Sequence, residues 1–122
     1  MSVEFTVDRS GAGVVPVRWT LANGEFGRPI NITEHSDKTV HIYGTFGTGG
    51  SVTLYGSNDK DDFDQETDPA SGNWIALVDP QGDAITKTAA AIEAVLENPR
   101  YITAKVTAGD GSTAITVNLN AT

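Results

Sequence analysis

Tyr55-Gly56-Ser57-Asn58-Asp59, Asn73-Trp74-Ile75-Ala76-Leu77-Val78-Asp79-Pro80-Gln81-Gly82, Ile85-Thr86, Pro99-Arg100-Tyr101-Ile102 and Gly109-Asp110-Gly111 are the stretches whose reading decides the fold. In each, a short apolar or β-branched run ends on Gly, Pro, Asn or Asp. Those residues supply turn dihedrals or capping side chains, so they stop a strand and reverse the chain. Runs this short, separated by turn residues at fairly even spacing, belong to a sandwich, jelly roll or barrel.

The pattern extends to both sides of this ladder. Val3, Phe5 and Val7 alternate with Glu4, Thr6 and Asp8, and Val15, Val17, Trp19 and Leu21 share a face opposite Pro16, Arg18 and Thr20. Ile30 with Ile32, Val40 with Ile42, and Val52 with Leu54 repeat the period of two that marks half-buried strands. Pro16 has no N–H to donate, which points to an edge position or to a strand that begins after it. Gly44 and Gly56 inside strand patterns predict bulges or close sheet packing. Trp74–Val78, Ala84–Thr88, Arg100–Thr107 and Thr113–Leu119 complete the series. Trp19 and Trp74 lie on apolar faces and are expected to anchor the core. Ala89–Glu97 is ambiguous. Its alanines and the spacing of Ile92, Val95 and Leu96 suit a short helix, which is the expectation taken here; the alternation of Ile92, Ala94 and Leu96 suits a strand. The expected fold is all-β, a jelly-roll-like β-sandwich of roughly eight to ten short antiparallel strands. At 122 residues it is a single domain, with residues 1–12 forming an extended arm or edge strand.

Sixteen acidic and eight basic residues leave a net charge of −8. Such a surface repels phosphate backbones, so no nucleic-acid partner is expected. The absence of cysteine removes disulfides, thiolate metal sites and cysteine nucleophiles, and fits folding in a reducing cytosol. Met1–Phe5 lacks the pattern of a signal peptide, and the apolar runs are too short to span a bilayer, so no membrane partner is expected.

Residues with chemical potential are few. The loop Asn58–Gly72 carries Asp59, Asp61, Asp62, Asp64, Glu66 and Asp68. Against an EF-hand begun at Asp59 it places Phe63 at the fifth position, Asp64 at the glycine and Ala70 at the bidentate glutamate, so it reads as a solvated, self-repelling loop. His35 sits in a polar turn and His41 on the solvent face of a strand, with no nucleophile arranged beside either. Gly47–Gly50 and Gly109–Gly111 lack the lysine and following helix of a phosphate-binding loop and read as turns. No catalytic residue, cofactor or metal ligand is expected, and no enzymatic activity.

Tyr55–Asp59, Trp74–Leu77 with Asp79–Gly82, Ala89-Ala90, Glu97–Ile102 and Ala108–Thr113 resemble the capsid decoration, or cement, proteins of short-tailed bacteriophages. The likeness covers about half of the chain and rests on turn residues and core anchors. It implies a structural virion protein on the outer capsid surface, made in the host bacterial cytoplasm. Its partner would be the major capsid protein, and it would act as a homo-oligomer, dimer or trimer, that ties neighbouring capsid subunits together. Attachment is expected through the N-terminal strand, Val3, Phe5, Val7 and Arg9, by strand addition, or through the loop bearing Phe26 and Arg28. Gly56–Asp59 followed by Trp74 and Leu77 also resembles discoidin-type carbohydrate-binding sandwiches. The long acidic insertion between Asp59 and Trp74 departs from that pattern. The alternative function is therefore a carbohydrate-binding module of a phage head or tail fibre, with an exposed tryptophan stacking on sugar.

Overall fold

A computed structural model describes residues 2–7 and 15–122. In chain order the elements are β1 (Ser2–Val3), β2 (Thr6–Val7), β3 (Val15–Ala22), β4 (Phe26–Gly27), β5 (Ile30–Asn31), β6 (Lys38–Thr45), β7 (Ser51–Ser57), α1 (Lys60–Asp64), β8 (Ile75–Ala76), β9 (Thr86–Lys87), β10 (Ala91–Ala94), β11 (Tyr101–Ala108) and β12 (Ala114–Ala121). A five-stranded sheet has the order β10-β6-β12-β3-β2. A seven-stranded sheet runs β1-β4-β11-β7-β8, with β5 also on β11 and β9 also on β7.

From β3 onward the chain crosses between the sheets at every step except from β4 to β5 and from β7 through β8 to β9. This is the winding of a jelly roll, and the all-β sandwich expected from the turn spacing is what forms. All pairings are antiparallel apart from β1 on β4.

Strict alternation builds the core. Val17, Trp19 and Leu21 of β3, Val40 and Ile42 of β6, and Ile115, Val117 and Leu119 of β12 face inward from one sheet. Val52 and Leu54 of β7 and Ile102, Ala104 and Val106 of β11 meet them from the other. Each fully buried aliphatic side chain of this size contributes roughly 1.5–3 kcal/mol. A one-residue slip of any long strand would turn its whole apolar set to solvent, so burial also fixes register.

Two expectations are corrected. Ala91–Ala94 is a strand on the edge of the five-stranded sheet, paired with β6, so the helix expected over 89–97 is not there. Helical spacing brought Ile92, Val95 and Leu96 together, whereas the strand separates them. Val95 is buried, while Ile92 and Leu96 are exposed. A tertiary bond decides the matter, because Val95 N–H donates to Lys38 O (3.1 Å) and extends the ladder.

The acidic loop is the second correction, since the carboxylates of Asp59, Asp62, Glu66 and Asp68 are taken up as structural acceptors. Asp59 caps α1 by accepting from Asp61 N–H. Asp62 is buried and accepts from Ser57 Oγ (2.9 Å) and Asn73 N–H (3.1 Å). Phe63 stacks on Tyr101 with ring centroids 4.4 Å apart. Asp68 takes Lys105 Nζ at 2.8 Å. Partial burial pushes the Asp68 carboxyl upward, but the Lys105 ammonium and the Ala70 N–H outweigh it and hold the group below its usual range. Tyr101, Thr103 and Lys105 point away from the core, so this loop covers the outer face of the seven-stranded sheet.

Gly44 is the next-to-last residue of β6, with φ +121°, and its register with β12 is unbroken, so it marks close packing and not a bulge. A Cβ there would stand 2.5 Å from Ala114 O. Gly44→Ala is therefore expected to lower stability by about 1–3 kcal/mol; an unchanged denaturant midpoint would contradict the strain.

Asp110 joins two turns. Its carboxylate accepts from Thr48 N–H (2.8 Å) and from Ser112 N–H (2.9 Å) and Oγ (2.7 Å). The Thr48 bond first, then those from Ser112, hold its carboxyl far below the ordinary carboxylate range. Because the folded value lies below the unfolded one, the stabilisation is complete above about pH 4 and fades as pH falls toward the folded value. Asp110→Asn is expected to be less stable than the parent at neutral pH, with the gap narrowing below about pH 4. Denaturant midpoints compared from pH 7 downward check this, and a constant gap would refute it.

Candidate interaction face

With the acidic loop over one sheet, the other sheet's outer face is left bare among the described residues. Its outward side chains follow directly from strand register. One row across the sheet is Ile92, His41, Asn118, Arg18 and Thr6. The row on one side is Tyr43, Thr116 and Thr20, then Thr45, Ala114 and Ala22; on the other it is Ala94, Thr39, Asn120 and Pro16. None of these residues is Asp or Glu, in a chain with sixteen of them.

The centre of the face is organised by two hydrogen bonds. Arg18 Nε donates to Asn118 Oδ1 at 3.0 Å, and Asn118 Nδ2 donates to Tyr43 Oη at 2.9 Å. His41 leans on Tyr43 with ring centroids 4.7 Å apart and planes at 50°. Ile92, at the edge of the same face, is 64% exposed. Among the described residues, an exposed large aliphatic beside an aromatic pair and a held arginine, with no carboxylate, has the composition of a protein-contact surface. Interface cores are depleted in Asp, Glu and Lys and enriched in aromatic residues and Arg.

The residues expected to make the attachment are placed otherwise. Val3, Phe5 and Val7 pack against the apolar core, and the Phe5 ring meets Trp19 edge-on with centroids 6.3 Å apart. Phe26 does not project from a turn; it is buried in β4 beside β11. Arg28 is held by Glu4 (2.7 Å) and Glu66 (3.2 Å), and its N–H donates to Val3 O (2.7 Å). Ser2 Oγ bonds to Glu66. These contacts fasten the N-terminal strands to the body. Arg9 lies outside the described residues.

Compared with protein-family models, with curated proteins and with solved structures, the chain matches none.

His35 and His41 lie on different parts of the fold, one in the turn after β5 and one on the bare face, and no group of three metal-ligating side chains exists among the described residues. Trp74 is only 5% exposed, so its ring is not available to stack on a sugar. Lys38 is buried and bonded to Asn98; burial pushes its ammonium down, against the raising pull of Asp37 and Glu97.

The bare face was not foreseen from the sequence, although its signal is there. Read at period two, the outward positions of β3, β6 and β12 contain Thr, Asn, His, Tyr and Arg but no acid. The missing step was knowing that these three strands are neighbours.

The N-terminal contacts make a concrete expectation. Phe5→Ala removes the half-buried ring on Trp19 and should cost about 1–2 kcal/mol. A thermal or chemical denaturation curve identical to the parent's would show that the arm does not contribute to the fold.

Proposed function

We propose that the chain is a non-catalytic structural protein of a virion, a decoration protein that docks on the outer surface of a tailed-phage capsid and cements neighbouring copies of the major capsid protein. The observation that carries the reading is the division of the molecule into two unlike faces. The seven-stranded sheet is covered by the chain's own acidic loop, whereas the outer face of the five-stranded sheet carries no carboxylate among the described residues and has Ile92 exposed at its edge. A rigid jelly roll holds that surface in a fixed shape, so docking costs little ordering entropy. The motifs that resemble those of decoration proteins act in this chain as turn and capping residues. Asp79, for example, closes its turn by accepting from Gln81 N–H (2.9 Å) and Asp83 N–H (3.1 Å).

In this reading the attachment surface is the sheet face, and the N-terminal strands are part of the scaffold. The chain assembles as a dimer or trimer on the shell. Ile75 and Leu96, 71% and 55% exposed along the edge where β8 and the segment after β10 meet, are available for contacts between copies. The carbohydrate-binding alternative loses its stacking residue with the burial of Trp74.

The test adds purified protein to shells from the virus that encodes it, freed of the native copy, and measures co-sedimentation. Wild-type protein and Lys60→Glu, changed on the covered side, are expected to be retained. Ile92→Glu, which places a carboxylate on the bare face, is expected to lose about tenfold or more in affinity while keeping its melting curve. Full retention of Ile92→Glu would remove the face assignment, and no retention of wild type would remove the decoration role.

A further inference from the structure

The outer edge of β10 is an unfinished ladder. Val95 N–H donates to Lys38 O (3.1 Å), on the β6 side, and the next residue, Leu96, donates its N–H to Val78 O (3.0 Å). In an antiparallel pair the backbone groups of successive residues turn to opposite sides. Ala91 and Glu93 therefore turn theirs to β6, as Val95 does, and Ile92 and Ala94 turn theirs to the outer edge, as Leu96 does. Val78 satisfies that edge at Leu96. Among the described residues no strand or backbone bond satisfies it at Ile92 or Ala94. The Ile92 side chain is 64% exposed at the same place. Residues 8–14 connect β2 to β3, and β2 is the opposite edge of this sheet. A charge pointing inward is one defence of an open edge. Glu93 is the inward residue here, level with buried Val40, and Lys87 neutralises it at 3.4 Å.

We infer that a second copy of the chain completes this edge, with β10 pairing antiparallel to β10 of the copy about a two-fold axis at Ile92. The sequence is self-complementary in that register. Ile92 meets its own counterpart, exchanging both N–H and C=O groups, and Ala94 meets Ala90. An axis at Glu93 would set two carboxylates directly opposite each other. An axis at Ala94 would set Ile92 against Leu96, whose N–H is already held by Val78. Pairing about Ile92 joins the two five-stranded sheets into one of ten strands. The axis is perpendicular to the sheet, so both outer faces lie on the same side and the face assigned to docking doubles in width. The inference rests on the reading above for its place on the shell, and deepens it by naming the surface between copies. Each copy carries a net charge of −8, so salt is expected to tighten the dimer.

The chain has no cysteine, so single cysteines report the register cleanly. Residues directly opposite in a hydrogen-bonded antiparallel pair have Cα atoms about 5.5 Å apart, within reach of a disulfide. Mild oxidation of purified Ile92→Cys is expected to give a covalent dimer. In Ala94→Cys the two thiols lie about four residues apart along the strands, and cross-linking is expected to be about tenfold slower or more. Sedimentation without oxidant is expected to show wild type as a dimer, and Ile92→Lys and Ala94→Pro with dissociation constants raised about tenfold or more. The proline removes only an outward N–H, so its circular dichroism should match the parent's. A wild type that is monomeric at high salt, a dimer that survives Ile92→Lys, or Ala94→Cys cross-linking as fast as Ile92→Cys overturns the inference. Monomeric protein retained on stripped shells does so while leaving the docking reading in place. A dimer with this register that shells do not retain removes the decoration role and leaves the dimer.

Discussion

The sandwich is pinned at Trp19. Its indole is fully buried on β3, and its Nε1–H donates to Arg28 O (2.9 Å) just beyond β4 on the opposite sheet. Gly27 makes that approach possible, because a Cβ there would overlap the indole ring. Phe5 closes the pocket from the N-terminal side, edge-on to the same ring. One side chain thus fixes the separation of the sheets, the path of β4 and the seat of the N-terminal strands. A buried Trp must both fill volume and satisfy its N–H, and only one relative placement of the two sheets does both.

With the sheets locked, the two outer surfaces take different fates. The connection between β7 and β8 is long enough to fold back over its own sheet, and it does so because its carboxylates find donors there. Ser57, Asn73, Arg28 and Lys105 each receive one. Among the described residues the connections of the five-stranded sheet include short turns such as Glu34–Asp37, and none of comparable length covers its outer side. Asymmetry of loop length therefore becomes asymmetry of charge, with carboxylates gathered over one face and, among the described residues, none on the other.

The strands of the core were legible because alternation is a local property. Val17-x-Trp19-x-Leu21, Val40-x-Ile42 and Ile115-x-Val117-x-Leu119 announce their buried faces whatever they pair with. Ala89–Glu97 was not legible, since Ile92, Val95 and Leu96 satisfy two periods at once and the backbone of Lys38, distant in sequence, chose between them. The acidic loop misled for a related reason. Charge density along a chain predicts repulsion, while the structure supplies each key carboxylate with a donor from another segment. Phe26 misled because it sits two residues from a Gly turn, and only the neighbouring strand β11 shows that the chain has already turned inward.

By itself the sequence determined the fold class, the turns and the identity of the buried anchors, because side-chain period, Gly and Asp chemistry and apolar size act over a few residues. Which strands lie side by side was decided only by the tertiary structure. That adjacency puts Ile92, His41, Asn118 and Arg18, from residues 18 to 118 of the chain, in one row across the sheet. A surface without carboxylates is a property of neighbours in space, and no stretch of the chain carries it alone.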